Sequence, residues 1–552
     1  MHRGLAVLIA LSAACSHSAP TPTPRTTSAA RPRLVVLIVI DQWPTWIFQQ
    51  QRALFGGGIG RLLREGAIVD AAELPYANTF TAPGHATLGT GAVPRDNGIV
   101  GNYWYRRSEG RDRPAEYDLA AQPLIVGPPL GGVELSPDDG ASGKALHVDG
   151  VADALRAGTA GKGMSIAISY KSRAACFVAG RKPDLAIWYE PGAGGMTTSA
   201  AYASEAPVWL RELAKNAPAS RYYDATWDAR DPALLARETR VPDNAAGEDS
   251  NHGLGAVFPH KLAGNPKVAF AIQETPFADE LVAGVAAAAL DATEIGRDEV
   301  PDFLAVSFSA HDLVGHSWGQ ESWEELDLTL RLDGLIGELL AALDAKVGVG
   351  KWAVVLTSDH GATPLVERAK SPAPRRISYK EIEAAAQRAI EVVTGAPGPW
   401  VIKLISNNLY LTPKFAELPG DVRQRALDEA GAAISKVPSM GGAQRTDLAP
   451  ADCGGDRDID RAVCKAIVPG EAGDIYVYPQ AGSVLTESKF GTGHDAPNDD
   501  NRRVPVIVMA PGLAPRHDVG NTLQVAPTLA ALLGVAPPVT ATAPPLFGIT
   551  RR

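Results

Sequence analysis

The 552-residue sequence predicts an α/β fold, a mostly parallel central sheet flanked by helices on both faces and interrupted by inserted cap segments. Three observations point to it. Residues 34–40 read LVVLIVI, a continuous apolar run that stops at Asp41. Such a run marks a strand buried on both faces, as in a parallel sheet. Similar runs recur at 165–170, 303–308, 353–357 and 504–509. Helical patterns at 59–66, 277–292, 324–343 and 523–533 lie between them. Strands that alternate with helices build a sheet covered on both sides.

Taken in order, residues 1–14 read as a signal peptide: a short basic start, then ten apolar residues at 5–14, too few to span a bilayer. Ser12-Ala13-Ala14 precede Cys15 in a lipobox-like arrangement, with leucine at 11 rather than 12. Cleavage near Ala14 and lipidation of Cys15 are both open. Either way the chain is expected to be exported, periplasmic or lipid-anchored to the bacterial envelope. Residues 15–33, rich in Pro, Thr, Ser and Ala, read as a disordered tether. The catalytic core is expected at 34–215, 276–375 and 491–552. An insertion rich in Asp, Asn, Gly and Pro takes 216–275. A cap insertion takes 376–490, with two helical patterns and a strand-like run at 401–411.

A net charge of -10 argues against nucleic-acid binding, which needs a basic face. It leaves small anions open, because a buried metal pair overrides net charge locally. Of the four cysteines, Cys453 and Cys464 are close enough in sequence to close a disulfide loop, leaving Cys176 buried. No pair has zinc-finger spacing, so any metal must be held by histidine and carboxylate.

In a parallel sheet, ligands collect beyond the carboxyl ends of the strands. Asp41 ends the first strand, Asp312 and His316 follow the run at 303–308, and Asp359 and His360 follow the run at 353–357. His494, in Gly491-Thr492-Gly493-His494, shortly precedes the run at 504–509. One strand-terminal aspartate is ordinarily a turn or cap residue; the joint placement of three Asp and three His suggests two metal sites. Thr81 lies in TFTAPGHATLGTG at 79–91, where Pro83 and Gly84 shape a turn and small residues begin a helix. A hydroxyl at a helix N-terminus faces the positive end of the dipole, which suits attack on phosphate.

The ordered set Asp41, Thr81-x-Pro83-x-His85, Asp312-x-x-x-His316, Asp359-His360 and Gly493-His494 resembles the alkaline phosphatase superfamily, in the branch of nucleotide pyrophosphatases/phosphodiesterases and PafA-type phosphatases. The resemblance implies two zinc ions. Asp312, His316 and His494 would hold one; Asp41, Asp359 and His360 would hold the other, with Thr81 as its fourth ligand and as the nucleophile that becomes phosphothreonine. It also implies that Asn102, Lys171 and Arg173 bind the nonbridging phosphate oxygens. Lys171 and Arg173, read as positions i and i+2 of a strand, would share a face. The extra cations favour dianionic monoesters over diesters. The expected activity is therefore that of an alkaline phosphatase acting on small phosphate monoesters, with phosphodiesterase as the alternative. A serine esterase using Ser317, within Gly315-His-Ser-Trp-Gly319, is a remote alternative, because six residues separate that motif from the strand before it. A sulfatase is set aside: Thr81 replaces the required Cys or Ser, and no arginine completes the motif.

Overall fold

The computed structural model describes Met1 and residues 31–551. The expected signal peptide, Cys15 and nearly all of the tether lie outside the described residues. Among those described, no helix is long and apolar enough to cross a membrane.

In chain order the strands that matter here are β1 (Leu34–Ile40), β2 (Ala67–Glu73), β3 (Ser165–Ser169), β4 (Leu185–Glu190), β5 (Gly195–Thr197), β6 (Asp302–Phe308) and β7 (Trp352–Thr357). They continue with β8 (Val401–Ile405), β9 (Asn408–Leu411), β10 (Met440–Arg445), β11 (Ile475–Pro479), β12 (Arg503–Met509) and β13 (Arg516–Asp518). Nine of them form one sheet in the order β13-β2-β12-β7-β1-β6-β3-β4-β5. The central strands β7, β1, β6, β3 and β4 run parallel to their neighbours in that group. Every residue of β1, β6 and β7 is buried.

The alternation of side chains along β1 explains the layering. Leu34, Val36, Ile38 and Ile40 enter one core, where helices α3 (Pro276–Ala292) and α5 (Trp323–Leu343) contribute Val282, Val285, Leu332 and Ile336. Val35, Leu37 and Val39 enter the opposite core with Ala82, Ala86 and Leu88 of α1 (Thr81–Thr90) and Leu529 of α9 (Val525–Leu533). Two shorter helices follow strands directly: α2 (Ser172–Phe177) after β3 and α4 (Ala310–Trp318) after β6.

Strand β12 differs from its neighbours: it is antiparallel to both β7 and β2. Its beginning therefore lies on the edge where β1, β6 and β7 end. That reversal brings the segment preceding β12, with His494, to the same edge as Asp41, Asp312 and Asp359.

Between β7 and β12 the chain builds a second, four-stranded sheet in the order β8-β9-β11-β10. Helices α6 (Tyr379–Thr394) and α7 (Gly420–Ser435) pack on it through Ile382, Ile390, Ala430 and Ile434. The run expected as one strand at 401–411 is a hairpin. Ser406 and Asn407 adopt φ of 47° and 63°, and a two-residue turn with both φ positive matches the twist of paired strands. Cys453 forms a disulfide with Cys464 of α8 (Asp458–Ala466), and Cys176 is buried and free.

Candidate active site

Thr81 is the first residue of α1, and its side chain is 1% exposed. Gly84, one turn on, lets this helix approach the end of β7. A Cβ there would fall 2.5 Å from the Asp359 carbonyl oxygen. The Asn102 Oδ1 accepts the Ala82 N–H at 2.8 Å, satisfying one of the free donors of the helix start.

Asp41, Asp312 and Asp359 meet beside Thr81, each at most 2% exposed. One cation lies among them. The Lys171 ammonium donates to Asp41 Oδ2 at 2.7 Å and Asp312 Oδ2 at 2.5 Å, and reaches Thr81 Oγ1 at 3.4 Å. Three acceptors use its three protons. Burial raises the Asp41 carboxyl to about 6, with Asp359 adding to the effect against the pull of Lys171. Burial also disfavours ionised Asp312, but Lys171 and His316 outweigh it and hold that carboxyl well below its ordinary range.

Three imidazoles complete the cluster. Asp312 and His316 stand one turn apart on α4, so both face the same way; the pair sits on a helix, not a loop. His316 Nε2 is 3.3 Å from Asp312 Oδ1 and 3.2 Å from His494 Nε2. His360 Nε2 lies 3.3 Å from Asp359 Oδ2 and 3.6 Å from Asp41 Oδ1. The outer nitrogens are tied back: His316 Nδ1–H donates to the Thr492 carbonyl at 2.8 Å, and His360 Nδ1–H to the Gly361 carbonyl at 2.9 Å. Each bond leaves the Nε2 lone pair pointing inward, the usual arrangement for a metal ligand. His494 is held well below its ordinary pKa by burial and by repulsion from His360 and His316, which keeps it neutral.

Ligand atoms of Asp41, Asp359 and His360 lie within 4.8 Å of one another, as do those of Asp312, His360 and His494. Asp41 Oδ1, Asp359 Oδ2 and His360 Nε2 are buried without a hydrogen-bond partner. Unpartnered buried acceptors are costly, and three that converge are a donor set for a cation. A set that mixes hard carboxylate with borderline imidazole donors suits a divalent metal such as zinc.

One expectation is corrected, and one remote alternative is excluded. Lys171 and Arg173 do not share a strand face. Strand β3 stops at Ser169, Lys171 caps α2, and Arg173 is the second residue of that helix. Lys171 turns to the carboxylates, while Arg173 forms no ion pair among the described residues and keeps a buried Nε without a partner. Ser317 is not a nucleophile elbow. It is buried within α4 and donates to Glu274 Oε1 at 2.9 Å, the atom that also pairs with His252 Nδ1. A carboxylate, not an imidazole, faces its hydroxyl.

Sequence reading assigned no role to His85 or Gln42. His85 is fully buried, and its Nδ1–H donates to the Thr81 carbonyl at 2.9 Å and lies 3.2 Å from Asp359 Oδ2. It ties α1 to the end of β7. The Thr-x-Pro-x-His spacing, one helical turn, was the signal that could have revealed it.

A family model described as type I phosphodiesterase / nucleotide pyrophosphatase matches residues 35–498. The chain belongs to this family. Among its relatives, alkaline phosphatase PhoV of Synechococcus elongatus is 29% identical over 544 residues, covering 94% of this chain and 92% of that protein. Alkaline phosphatase PafA of Elizabethkingia meningoseptica is 28% identical over 550 residues, covering 96% of each. The crystal structure of wild-type alkaline phosphatase PafA superposes with a TM-score of 0.85 at 27% identity, covering 95% of this chain and 100% of that one. The large sheet of mostly parallel strands flanked by helices is thus the fold of this phosphodiesterase family member, as the strand runs predicted.

Gly84→Ala would force α1 away from β7. It should cost about 1–3 kcal/mol, seen as a lower urea midpoint for the metal-free protein.

Proposed function

We propose that this chain is a two-zinc alkaline phosphatase that hydrolyses phosphate monoesters through a phosphothreonine formed on Thr81. The observation that carries the reading is the buried trio of unpartnered ligand atoms on Asp41, Asp359 and His360, set against a threonine at a helix N-terminus. Full-length similarity to two alkaline phosphatases supports a hydrolase of this class.

Asp41, Asp359 and His360, with Thr81, would hold one zinc; Asp312, His316 and His494 would hold the other. When bound, the zinc pair supplies a lowered pKa for the Thr81 hydroxyl and charge stabilisation at the attacking and leaving oxygens. The side chains do the rest. Thr81 Oγ1 attacks phosphorus, forming the Oγ1–P bond as the bond to the leaving oxygen breaks. Water then attacks the phosphothreonine, restoring Thr81 and releasing inorganic phosphate. Lys171 Nζ stands 3.4 Å from Thr81 Oγ1. Asn102, with its Oδ1 taken by the Ala82 N–H, has its Nδ2–H groups to offer a nonbridging oxygen. Arg173, without a carboxylate partner among the described residues, supplies the charge-assisted donors that a dianionic monoester rewards and a diester rewards less. The leader-like residues 1–14 and the small residues before Cys15 support export to the periplasm, with or without a lipid on Cys15.

The test is kcat/KM for p-nitrophenyl phosphate against bis-p-nitrophenyl phosphate, before and after chelation. We expect a strong monoester preference that chelation abolishes and zinc restores. A diester preference would move the enzyme to the phosphodiesterase side of its family, and zinc-independent turnover would overturn the metal assignment. Thr81→Ala should lower kcat by about 10⁴-fold or more while zinc content stays near wild type; unchanged turnover would remove Thr81 as nucleophile. Arg173→Ala should lower monoester kcat/KM by about 10²-fold, the worth of a bidentate charge-assisted contact, and diester kcat/KM by much less. Equal losses would remove Arg173 from the monoester preference.

A further inference from the structure

Gln42 follows Asp41 directly, is fully buried, and has a backbone φ of 60°. That left-handed conformation is rare for a side chain of this size and is kept only where surrounding contacts enforce it. The contacts here are specific. The Gln42 backbone N–H donates to Asp359 Oδ1 at 3.1 Å. Its Nε2 donates to Asp312 Oδ1 at 2.7 Å. Its Oε1 accepts from Gln320 Nε2 at 2.7 Å, which fixes which end of the amide faces Asp312. One residue therefore bonds to both carboxylate clusters, and Asp312 Oδ1 is the same oxygen that lies 3.3 Å from His316 Nε2 and 3.7 Å from His494 Nε2.

The helix beside it makes room for this amide pair. Gly315 lies on α4 between Asp312 and His316, and a Cβ there would fall 2.2 Å from Gln320 Nε2 and 2.5 Å from Gln42 Oε1. A neutral donor is required at this point. A carboxylate in its place would add a fourth negative charge to a buried cluster that already holds three against one lysine.

We infer that Gln42 is a positioning residue: a buried amide, oriented by Gln320 and accommodated by Gly315, that braces Asp312 against Asp359 and sets zinc affinity at the Asp312–His316–His494 site. This rests on the two-zinc reading above. Hydrogen-bond partners of metal ligands typically contribute 10- to 100-fold in metal affinity.

The test counts zinc retained per chain, by atomic emission, as a competing chelator is raised over wild type, Gln42→Gly and Gly315→Ala. Glycine at 42 accepts the left-handed backbone and keeps the bond to Asp359, losing only the amide. We expect wild type to hold two zinc ions and each variant to release one of them at a chelator concentration at least about tenfold lower. Metal-free melting temperature is read alongside, because a purely structural role would lower it and leave zinc release unsplit. If Gln42→Gly does not fold, Gly315→Ala and Gln320→Leu carry the comparison. Wild type with two zinc ions and variants with its release profile would overturn the positioning role while leaving the two-zinc reading intact. Wild type with no zinc would overturn both.

Discussion

Three carboxylates crowded into a dry pocket around one lysine impose the constraint to which the rest of the site answers. Asp41, Asp312 and Asp359 are each at most 2% exposed, and Lys171 pairs with two of them, Asp41 and Asp312. Like charges this close need compensation, and burial first, with Asp359 adding to it, raises Asp41 to about 6. Everything nearby distributes the charge. Lys171 spans two of the carboxylates, Gln42 donates to the other oxygens of Asp312 and Asp359, and His85 stands beside Asp359. Among the described residues, Asp41 Oδ1, Asp359 Oδ2 and His360 Nε2 find no hydrogen-bond partner, and a bound cation would satisfy them.

The fold supplies this crowding by topology. Strands β1, β6 and β7 run in register, with Ile40 beside Phe308 and Val39 beside Thr357, so the residues that follow them emerge at one level. The reversed strand β12 brings His494 to that level from the opposite chain direction. Close backbone approaches finish the job: Gly84 lets the helix α1 touch Asp359, and Gly491 sits so near His316 that a Cβ would lie 1.9 Å from its carbonyl oxygen. The second sheet also reaches the site. Asn407, at the β8–β9 turn, donates to the Asp495 carbonyl at 2.9 Å, and Ser406 to the Tyr103 carbonyl at 2.8 Å. The turn thus touches residues adjacent to both His494 and Asn102.

Much of this was legible in the sequence. The apolar runs at 34–40, 303–308 and 353–357 were recognisable because strands buried on both faces have no polar alternation to blur them. Asp41, Asp312, Asp359 and His360 were recognisable because each stands just beyond such a run. The local conformation around Lys171 and Arg173 was misread as a strand, since a two-residue spacing says nothing about conformation; Lys171 caps the helix α2 and Arg173 lies within it. Ser317 was already set at a distance by the six residues between its motif and the strand before it, and the partner of its hydroxyl, Glu274, is 43 residues away. Gln42 was invisible because an amide next to an aspartate carries no pattern.

The sequence by itself determined the alternation of strands and helices, the family, and which residue types could bind metal, because hydrophobic periodicity and side-chain chemistry are local properties. Only the tertiary structure decided that β12 runs backwards, that Lys171 rather than Arg173 lies among the carboxylates, and that Gln42 bridges Asp312 and Asp359. Those facts depend on contacts between segments up to several hundred residues apart, and no local pattern encodes which buried donor meets which buried acceptor.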